Sequence, residues 1–166
     1  LDLNQNFTSA EFPPLLWDLE STGGQYWLRE DYSAYGIGTG TSRFNFWNAQ
    51  VGITQSMITN LFEDSAPGDS LKFDHAYATW SDQDDSLIIE VSTNSGVSYS
   101  LLIGLVGGVS GPLVTAPPTT VYFVPTASQW ATKKFALPVG VNKIRFKAVS
   151  AFGNNFYMDN VIKVGG

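Results

Sequence analysis

Asp159, near the end of the chain, is the residue with the clearest chemical constraint. It lies in the segment Asn155-Phe-Tyr-Met-Asp-Asn-Val-Ile162. The alternation of this segment predicts a strand in which Asp159 shares a face with Tyr157 and Val161. A carboxylate between bulky apolar side chains is costly to bury unless hydrogen bonds or a metal ion satisfy it. The sequence therefore predicts a place for a cation in the last strand.

Aromatic side chains offer a second kind of chemistry, since the chain has five tryptophans and seven tyrosines. Exposed indole and phenol rings can stack on the apolar faces of sugar rings, and aromatic residues also anchor protein interfaces. We expect three tryptophans to be structural: Trp17, Trp27 and Trp130. The other two border polar loops, and the predicted ligand-binding residues are Trp47, Trp80, Asn48 and Asp82.

His75 is the only histidine, so any Ser-His-Asp triad would have to use it. It alternates with Leu71, Phe73 and Tyr77 on one apolar face, which favours a hydrogen-bonded imidazole in the core over catalysis. No Gly-x-Ser-x-Gly motif occurs, and a metal site of three histidines is impossible. The sequence also has no cysteine, which excludes disulfides and thiol catalysis.

Paired carboxylates are the remaining catalytic possibility, because glycoside hydrolysis needs two of them roughly 5–9.5 Å apart. Three aspartates, with Glu90 close behind, fall in the segment Asp82-Gln-Asp-Asp-Ser86. This segment predicts a solvated hairpin loop in which nothing separates the pKa values of the acids. It also resembles half of a calcium-binding hand, but it lacks the glycine and the final glutamate of that motif. We therefore predict that the chain is not an enzyme.

Strands are the elements that must position these residues, since no segment shows sustained helical periodicity. Gly and Pro punctuate many short alternating runs, as at Ala66-Pro-Gly-Asp69 and Pro138-Val-Gly140. This pattern predicts an all-β fold, an antiparallel β-sandwich of jelly-roll type, formed by a single domain over residues 1–166. The region Leu1 to Gly40 is expected to form long loops with aromatic anchors. The predicted strands are Ser42–Trp47, Ser56–Phe62, Ser70–Thr79, Ser86–Thr93, Ser98–Ile103, Thr119–Val124, Gln129–Leu137, Lys143–Ser150 and Asn155–Val164.

The charge and hydrophobicity of the chain indicate which kinds of partner it can bind. Nine basic residues against fifteen acidic ones give a formal net charge of −6. Nucleic acid is excluded as a partner because phosphate binding depends on clustered Lys and Arg. No apolar run approaches the roughly 20 residues that a membrane helix needs, so we expect no membrane insertion. Few charges with many Gly, Ser, Thr and Asn are typical of a secreted or cell-surface β-protein.

Several segments also occur in the order found in one group of domains. They are Leu71-Lys-Phe-Asp-His-Ala-Tyr-Ala78, Asp85-Ser-Leu-Ile-Ile-Glu-Val-Ser-Thr-Asn-Ser-Gly96, Ser128-Gln-Trp130, Ile144-Arg-Phe-Lys-Ala148 and Gly153-Asn-Asn-Phe-Tyr-Met-Asp-Asn-Val161. With them the chain resembles the choice-of-anchor J, cleaved-adhesin and MAM-like β-sandwich domains of secreted proteins from Bacteroidetes-type bacteria. The resemblance implies a jelly roll without catalysis of its own, and a module of a larger secreted protein.

The resemblance further implies structural calcium. Related jelly rolls bind calcium with a glutamate after the opening Phe and an aspartate in the last strand. Asp159 matches the aspartate, whereas Thr8 stands where the glutamate is expected, so that Glu11 or Asp74 would have to compensate. The metal ligands implied in this way are Asp159, Asp74 and Glu11.

Ser65 is a candidate for modification, because Asp64-Ser65-Ala66 resembles the Asp-Ser/Thr-apolar sites at which such bacteria attach O-glycans. It lies in a predicted turn, where a hydroxyl would be accessible.

These observations lead to a non-catalytic extracellular module that binds carbohydrate or a surface protein, with structural calcium. The alternative is a purely structural or interaction domain, appended to a secreted peptidase or packed into a surface assembly. An enzymatic function would require two carboxylates converging in a cleft.

Overall fold

Residues 1–166 are described by a computed structural model, in which the regular elements are strands and two short 3-10 turns, Ala34–Gly36 and Ala127–Gln129. Neither helical turn has the length needed to cross a bilayer. The strands are β1 (Asn4–Gln5), β2 (Asp18–Glu20), β3 (Trp27–Glu30), β4 (Thr41–Phe44), β5 (Thr54–Ile58), β6 (Ser70–Tyr77), β7 (Ser86–Ser92), β8 (Ser100–Val106), β9 (Ala131–Ala136), β10 (Lys143–Val149) and β11 (Phe156–Val164).

The strands form two antiparallel sheets that face each other. The six-stranded sheet has the order β3-β4-β11-β6-β9, with β1 also paired to β11. The five-stranded sheet has the order β2-β5-β10-β7-β8. The all-β antiparallel sandwich predicted from the sequence is therefore confirmed.

Strand β10 shows why the sheets face each other as they do. Ile144, Phe146 and Ala148 point into the core and are fully buried, as the period of two predicts. The alternate residues face outward and are half-buried, because Arg145 and Lys147 both make ion pairs with Glu90 of the neighbouring strand β7. Each sheet thus contributes one apolar face to a single core.

Strand β11 departs from simple alternation. A bulge interrupts its pairing with β6 between Asp159 and Ile162, and Asn160 within it has a φ of 50°. Because of the extra residue, each later side chain of β11 points to the opposite face of the sheet from the one that simple alternation predicts. Val161 consequently lies in the core beside Met158, so the prediction that it shares a face with Asp159 was wrong.

Two other expectations were also wrong. The predicted strand Thr119–Val124 is a loop, whose backbone bonds to the Asn154 side chain rather than to a neighbouring strand. It covers the outer face of the six-stranded sheet, where Phe123 packs on Tyr157. The region Leu1 to Gly40, expected as loops, contains β1, β2 and β3, which are too short to give a periodic signal.

His75 lies in the core, as predicted, between the rings of Phe73 and Phe156. Neither ring nitrogen has a hydrogen-bond partner of ordinary geometry, so the hydrogen-bonded form predicted for it is not found. Burial lowers the pKa of His75 to about 4; the charge of Lys133 adds to this shift and the backbone of Leu113 opposes it in part. The imidazole is therefore neutral in the folded protein.

This buried imidazole should make stability depend on pH. Below pH 6.5 the unfolded chain protonates His75 and the folded protein does not, so stability falls as pH decreases towards 4. The loss between pH 7 and 4.5 should be about 2–3 kcal/mol, since one pKa unit corresponds to about 1.4 kcal/mol. Urea unfolding at both pH values gives the change in the free energy of unfolding between pH 7 and 4.5, and this change should be smaller in His75→Leu than in the wild type by the stated amount. An equal change in the two proteins would show that His75 is not its origin.

Candidate functional site

Three loops at one end of the sandwich enclose a cleft of about 400 Å³, here called the tryptophan cleft. The loops connect β4 to β5, β6 to β7 and β10 to β11. They bring together Trp47 and Trp80, which are far apart in sequence, together with the exposed side chain of Phe152. The residues lining the cleft are Trp47, Val51, Trp80, Gln83, Ala151, Phe152 and Gly153.

The two tryptophans of this cleft are partly buried. Trp47 is held by an edge contact with Tyr122, whose ring centroid lies 5.4 Å away. The remaining tryptophans, Trp17, Trp27 and Trp130, are buried in the core as expected. The structure therefore separates the five indoles into three structural rings and two that a ligand can reach.

The two polar residues predicted beside the tryptophans do not line the cleft. Asn48 and Asp82 are exposed and flank Trp47 and Trp80 in sequence. The lining contains one polar side chain, that of Gln83, which sequence reasoning missed. The cleft can thus offer an apolar wall, aromatic faces and an amide, with further hydrogen-bonding groups at its rim.

Backbone strain accompanies the tryptophan cleft. Ser81 and Phe152 both lie in the left-handed region, with φ values of 58° and 60°. Such conformations are uncommon for residues other than glycine and concentrate at ligand-binding and active sites. Here the strained backbone at position 152 presents a phenyl ring that is 45% exposed at the edge of the cleft.

Asp85 does not line the tryptophan cleft but supports the segment Ala151 to Gly153, which does. The sequence predicted a solvated position for it, which was wrong, since Asp85 is fully buried while Asp82 and Asp84 are exposed. Its carboxylate accepts hydrogen bonds from the hydroxyl of Tyr77 at 2.6 Å and from the backbone N–H of Ala151 at 2.8 Å.

The backbone N–H of Asn154 donates to the same carboxylate at 3.1 Å. Burial raises the pKa of Asp85, and the hydrogen bonds from Tyr77 and from the backbone of Ala151, Gly153 and Asn154 oppose the shift in part. The carboxylate thereby fixes the segment that carries Phe152. The backbone partners Ala151 and Asn154 lie far along the chain from Asp85, which is why no local pattern indicated them.

A second cleft, of about 430 Å³, is here called the carboxylate cleft. It contains Asp74 of β6 and Asp159 of β11, which are direct partners across the two strands. Thr8, the residue in place of the expected glutamate, lines it as well. The lining is Asn6, Thr8, Ser33, Ala34, Tyr35, Ile37, Gly38, Thr39, Asp74, Asp159 and Asn160.

The protein satisfies both carboxylates of this cleft. Asp159 is 1% exposed and accepts hydrogen bonds from the backbone N–H groups of Ala34 and Asn160. Asp74 accepts bonds from the Thr132 hydroxyl at 2.5 Å and from the Asn160 side-chain amide at 2.8 Å. The two acids are therefore bridged by one residue of the bulge.

Burial raises the pKa of Asp159 to about 6; the backbone hydrogen bonds of Ala34 and Asn160 lower it, and the charge of Asp74 adds to the rise. The hydroxyl oxygen of Ser33, also in the lining, is buried without a hydrogen-bond partner. Two adjacent carboxylates and an unpartnered hydroxyl are oxygen groups of the kind that calcium prefers. This part of the donor set fits the ion.

Glu11, the third residue implied as a metal ligand, does not reach the carboxylate cleft. It is exposed, and its backbone N–H bonds to Ser9 Oγ in the loop after β1. That implication was wrong, because the loop carries Asn6 and Thr8 into the cleft and turns away before position 11. No group of three acidic or histidine side chains converges anywhere in the protein. Further ligands would have to be amide, hydroxyl or backbone oxygens.

The Ser65 hydroxyl is not available for a glycan in the folded protein. Ser65 is 2% exposed, donates to the carbonyl oxygen of Pro138 at 2.5 Å and accepts from the N–H of Val141 at 2.8 Å. The Ser65 side chain is thus buried against the β9–β10 connection, whereas Ala66, Pro67 and Gly68 of the predicted turn are exposed. The sequence pattern carried no information about this long-range contact.

Comparison with known proteins gives the fold a context. No protein-family model and no curated protein sequence matches the chain. Among solved structures, the K1 cleaved adhesin domain of Lys-gingipain from Porphyromonas gingivalis W83 is 16% identical with a TM-score of 0.68, over 100% of this chain and 99% of that one. The K2 cleaved adhesin domain of Lys-gingipain is 17% identical with a TM-score of 0.69, over 99% and 98%.

A carbohydrate-binding module specific for non-crystalline cellulose, of family 28, is also similar. It is 9% identical with a TM-score of 0.57, over 97% of both chains. The expected resemblance to cleaved-adhesin domains is thus confirmed at the level of the fold, and the chain matches nearly the whole length of each of these structures. The choice-of-anchor J and MAM-like assignments stay predictions.

Proposed function

We propose that the chain is a non-catalytic module that works outside the cell, secreted or on the surface, and binds carbohydrate through the tryptophan cleft. The observation that carries this proposal is the meeting of Trp47 and Trp80 in one accessible cleft. Indole faces stack on the apolar faces of sugar rings, and Gln83 supplies an amide for hydroxyl groups. Adhesion to a surface glycan is the biological form that this binding would take.

The fold supports the same proposal. Cleaved-adhesin domains and carbohydrate-binding modules share this sandwich over nearly their whole lengths. Their names describe adhesion and the binding of non-crystalline cellulose, and the tryptophan cleft is the place that we propose for such binding in this chain. The loops that form the cleft are the part of a sandwich that can vary without disturbing the core.

The carboxylate cleft meets the geometric condition set for an enzyme, because two acids converge in it. Two features argue against catalysis. Asp159 is almost completely buried, so a glycosidic oxygen could not reach it. Each of the four carboxylate oxygens also accepts one hydrogen bond within the protein, which leaves room for a small cation but fixes both groups in place. These features favour a structural role.

Retention on immobilised polysaccharides and a glycan array test the binding proposal. Trp80→Ala should weaken binding of any retained glycan by about 2 kcal/mol, roughly thirtyfold in Kd, because truncating an aromatic anchor removes its stacking face. Trp47→Ala should act in the same direction. Tyr99→Ala is the matched control, since Tyr99 stacks on Arg145 on the outer face of the five-stranded sheet.

An effect of Tyr99→Ala with none of Trp80→Ala would move the binding surface to that sheet and contradict the proposal. Absence of any glycan binding would favour the alternative, an interaction domain. In that case the apolar lining of the cleft would receive a side chain from a neighbouring domain.

We also propose that the carboxylate cleft holds a calcium ion as a structural element. Asp159 and Asp74 would bind it, and it would supply the positive charge that neutralises two adjacent acids. The raised pKa of Asp159 and the unpartnered hydroxyl of Ser33 support this assignment. The ion would then stabilise the contact between the opening loop, through Asn6 and Thr8, and the last strand.

A further inference from the structure

The edges of the two sheets are protected unequally. An unpaired edge strand invites pairing with another chain, and proteins discourage it with charges, prolines or very short strands. Edge strand β2 carries Asp18 and Glu20, β3 carries Arg29 and Glu30, and β9 carries a pair of lysines at 133 and 134. Strand β1 has two residues. Strand β8 has seven residues and carries neither a charge nor a proline; its one irregularity is an extra residue at Leu102 in the pairing with β7, and Ile103–Val106 pairs regularly beyond it.

Strand β8 is also accessible along most of its length. It pairs only with β7, and one backbone bond reaches it from elsewhere, from the N–H of Leu113 to the carbonyl oxygen of Val106 at its last residue. Leu101 is 67% exposed. Gly104 is exposed as well, and a side chain added there would meet no atom, so the face of the sheet at this strand is also uncovered.

The charge distribution indicates what can pair with this strand. The chain carries a net charge of −6, yet it has no charged residue between Glu90 and Lys133. Because both copies carry the same net charge, they repel each other in most orientations. This repulsion is weakest when the uncharged segment of one copy faces the uncharged segment of the other. When two copies of an edge strand pair antiparallel about a two-fold axis, a charged residue near the axis lies close to its own copy, and the two like charges repel. Among the longer edge strands, β8 alone has no charged residue and so avoids this repulsion.

We propose that β8 pairs antiparallel with β8 of a second copy of the chain. The two five-stranded sheets would then join into one continuous sheet across the two-fold axis. The exposed side chain of Leu101 would be covered in the dimer, and the free N–H and C=O groups of the edge would bond to those of the partner strand. This pairing is independent of what the tryptophan cleft binds.

Sedimentation equilibrium over a wide range of concentration tests the pairing. The wild type should reach twice the chain mass of 18.1 kDa. Leu101→Lys, which gives β8 the protection that β9 has, should return the mass to 18.1 kDa. Val139→Lys makes the same charge change at a residue 61% exposed in the β9–β10 connection and should leave the dimer intact. A wild type that stays monomeric at the highest concentration would overturn the proposal.

Cysteine cross-linking identifies the interface, since the chain has no cysteine of its own. Leu101→Cys, Leu102→Cys and Ile103→Cys are made one at a time and oxidised. Two-fold pairing predicts a disulfide-linked dimer for the variant nearest the axis and weaker linkage for its neighbours, because a residue meets its own copy only there. A dimer that none of the three variants cross-links, or that Leu101→Lys leaves intact, would place the contact on another surface and refute pairing through β8.

Discussion

Asp85→Asn should lower the free energy of unfolding by about 3 kcal/mol, although it changes one buried oxygen to an amide nitrogen. The carboxylate accepts bonds from the Tyr77 hydroxyl and from the backbone N–H groups of Ala151 and Asn154. An amide nitrogen cannot accept these bonds and would point its own hydrogens at the donors. Urea unfolding followed by tryptophan fluorescence measures the difference.

Gly153 provides a second test of the same network. A Cβ at this position would overlap the carboxylate of Asp85, so Gly153→Ala should also destabilise the protein and displace the wall that carries Phe152. Asp82→Asn is the matched control, because Asp82 is exposed in the same loop and its change should remain within about 0.5 kcal/mol. Equal stability of Asp85→Asn and Asp82→Asn would mean that the buried carboxylate does not support the cleft.

Asp85→Asn and Trp80→Ala together distinguish residues that support the tryptophan cleft from residues that contact the glycan. Asp85→Asn should reduce both stability and glycan retention, since it loosens the loop between β10 and β11. Trp80→Ala should reduce retention while leaving the unfolding curve nearly unchanged, because Trp80 is a partly exposed ring outside the core clusters. Retention that is lost only together with stability would indicate that Trp80 acts through folding.

The sequence predicted the fold because each central strand is a local pattern. In β10, three apolar residues alternate with three basic ones, and in β7 Leu87, Ile89 and Val91 alternate with outward residues. Such alternation needs no knowledge of the partner strand, since one face must be buried in any sandwich. Alternation failed after Asp159, because the extra residue of the bulge cannot be recognised in the sequence. It places Val161 on the opposite face of the sheet from the predicted one.

The candidate site was less predictable, for the physical reason that it is assembled across the chain. Trp47 and Trp80 could be proposed as ligand residues from their polar neighbours, but their meeting in one cleft depends on sheet order. Asp85 looks like any acid of a polar loop until Ala151 and Asn154 fold onto it. Ser65 likewise resembles a turn serine until Pro138 and Val141 bury it.

Calcium should raise the melting temperature by about 5–10 °C relative to protein treated with a chelator. An ion that binds only the folded state, at 100 times its dissociation constant, contributes about 2.7 kcal/mol. For a chain of this length each kcal/mol corresponds to about 2–4 °C. Differential scanning calorimetry with calcium, with magnesium and with chelator measures the shift, and magnesium should give less because it binds poorly to irregular all-protein sites.

Variants locate the ion if the shift appears. Asp159→Asn and Asp74→Asn should each remove most of the calcium-dependent shift, and reading the shift within each variant cancels its own change in baseline stability. Glu11→Gln is the decisive control: the sequence resemblance includes Glu11 among the ligands, whereas the structure leaves it exposed outside the carboxylate cleft. It should retain the full shift. No shift in the wild type, or a full shift in Asp159→Asn, would rule out calcium between the opening loop and β11.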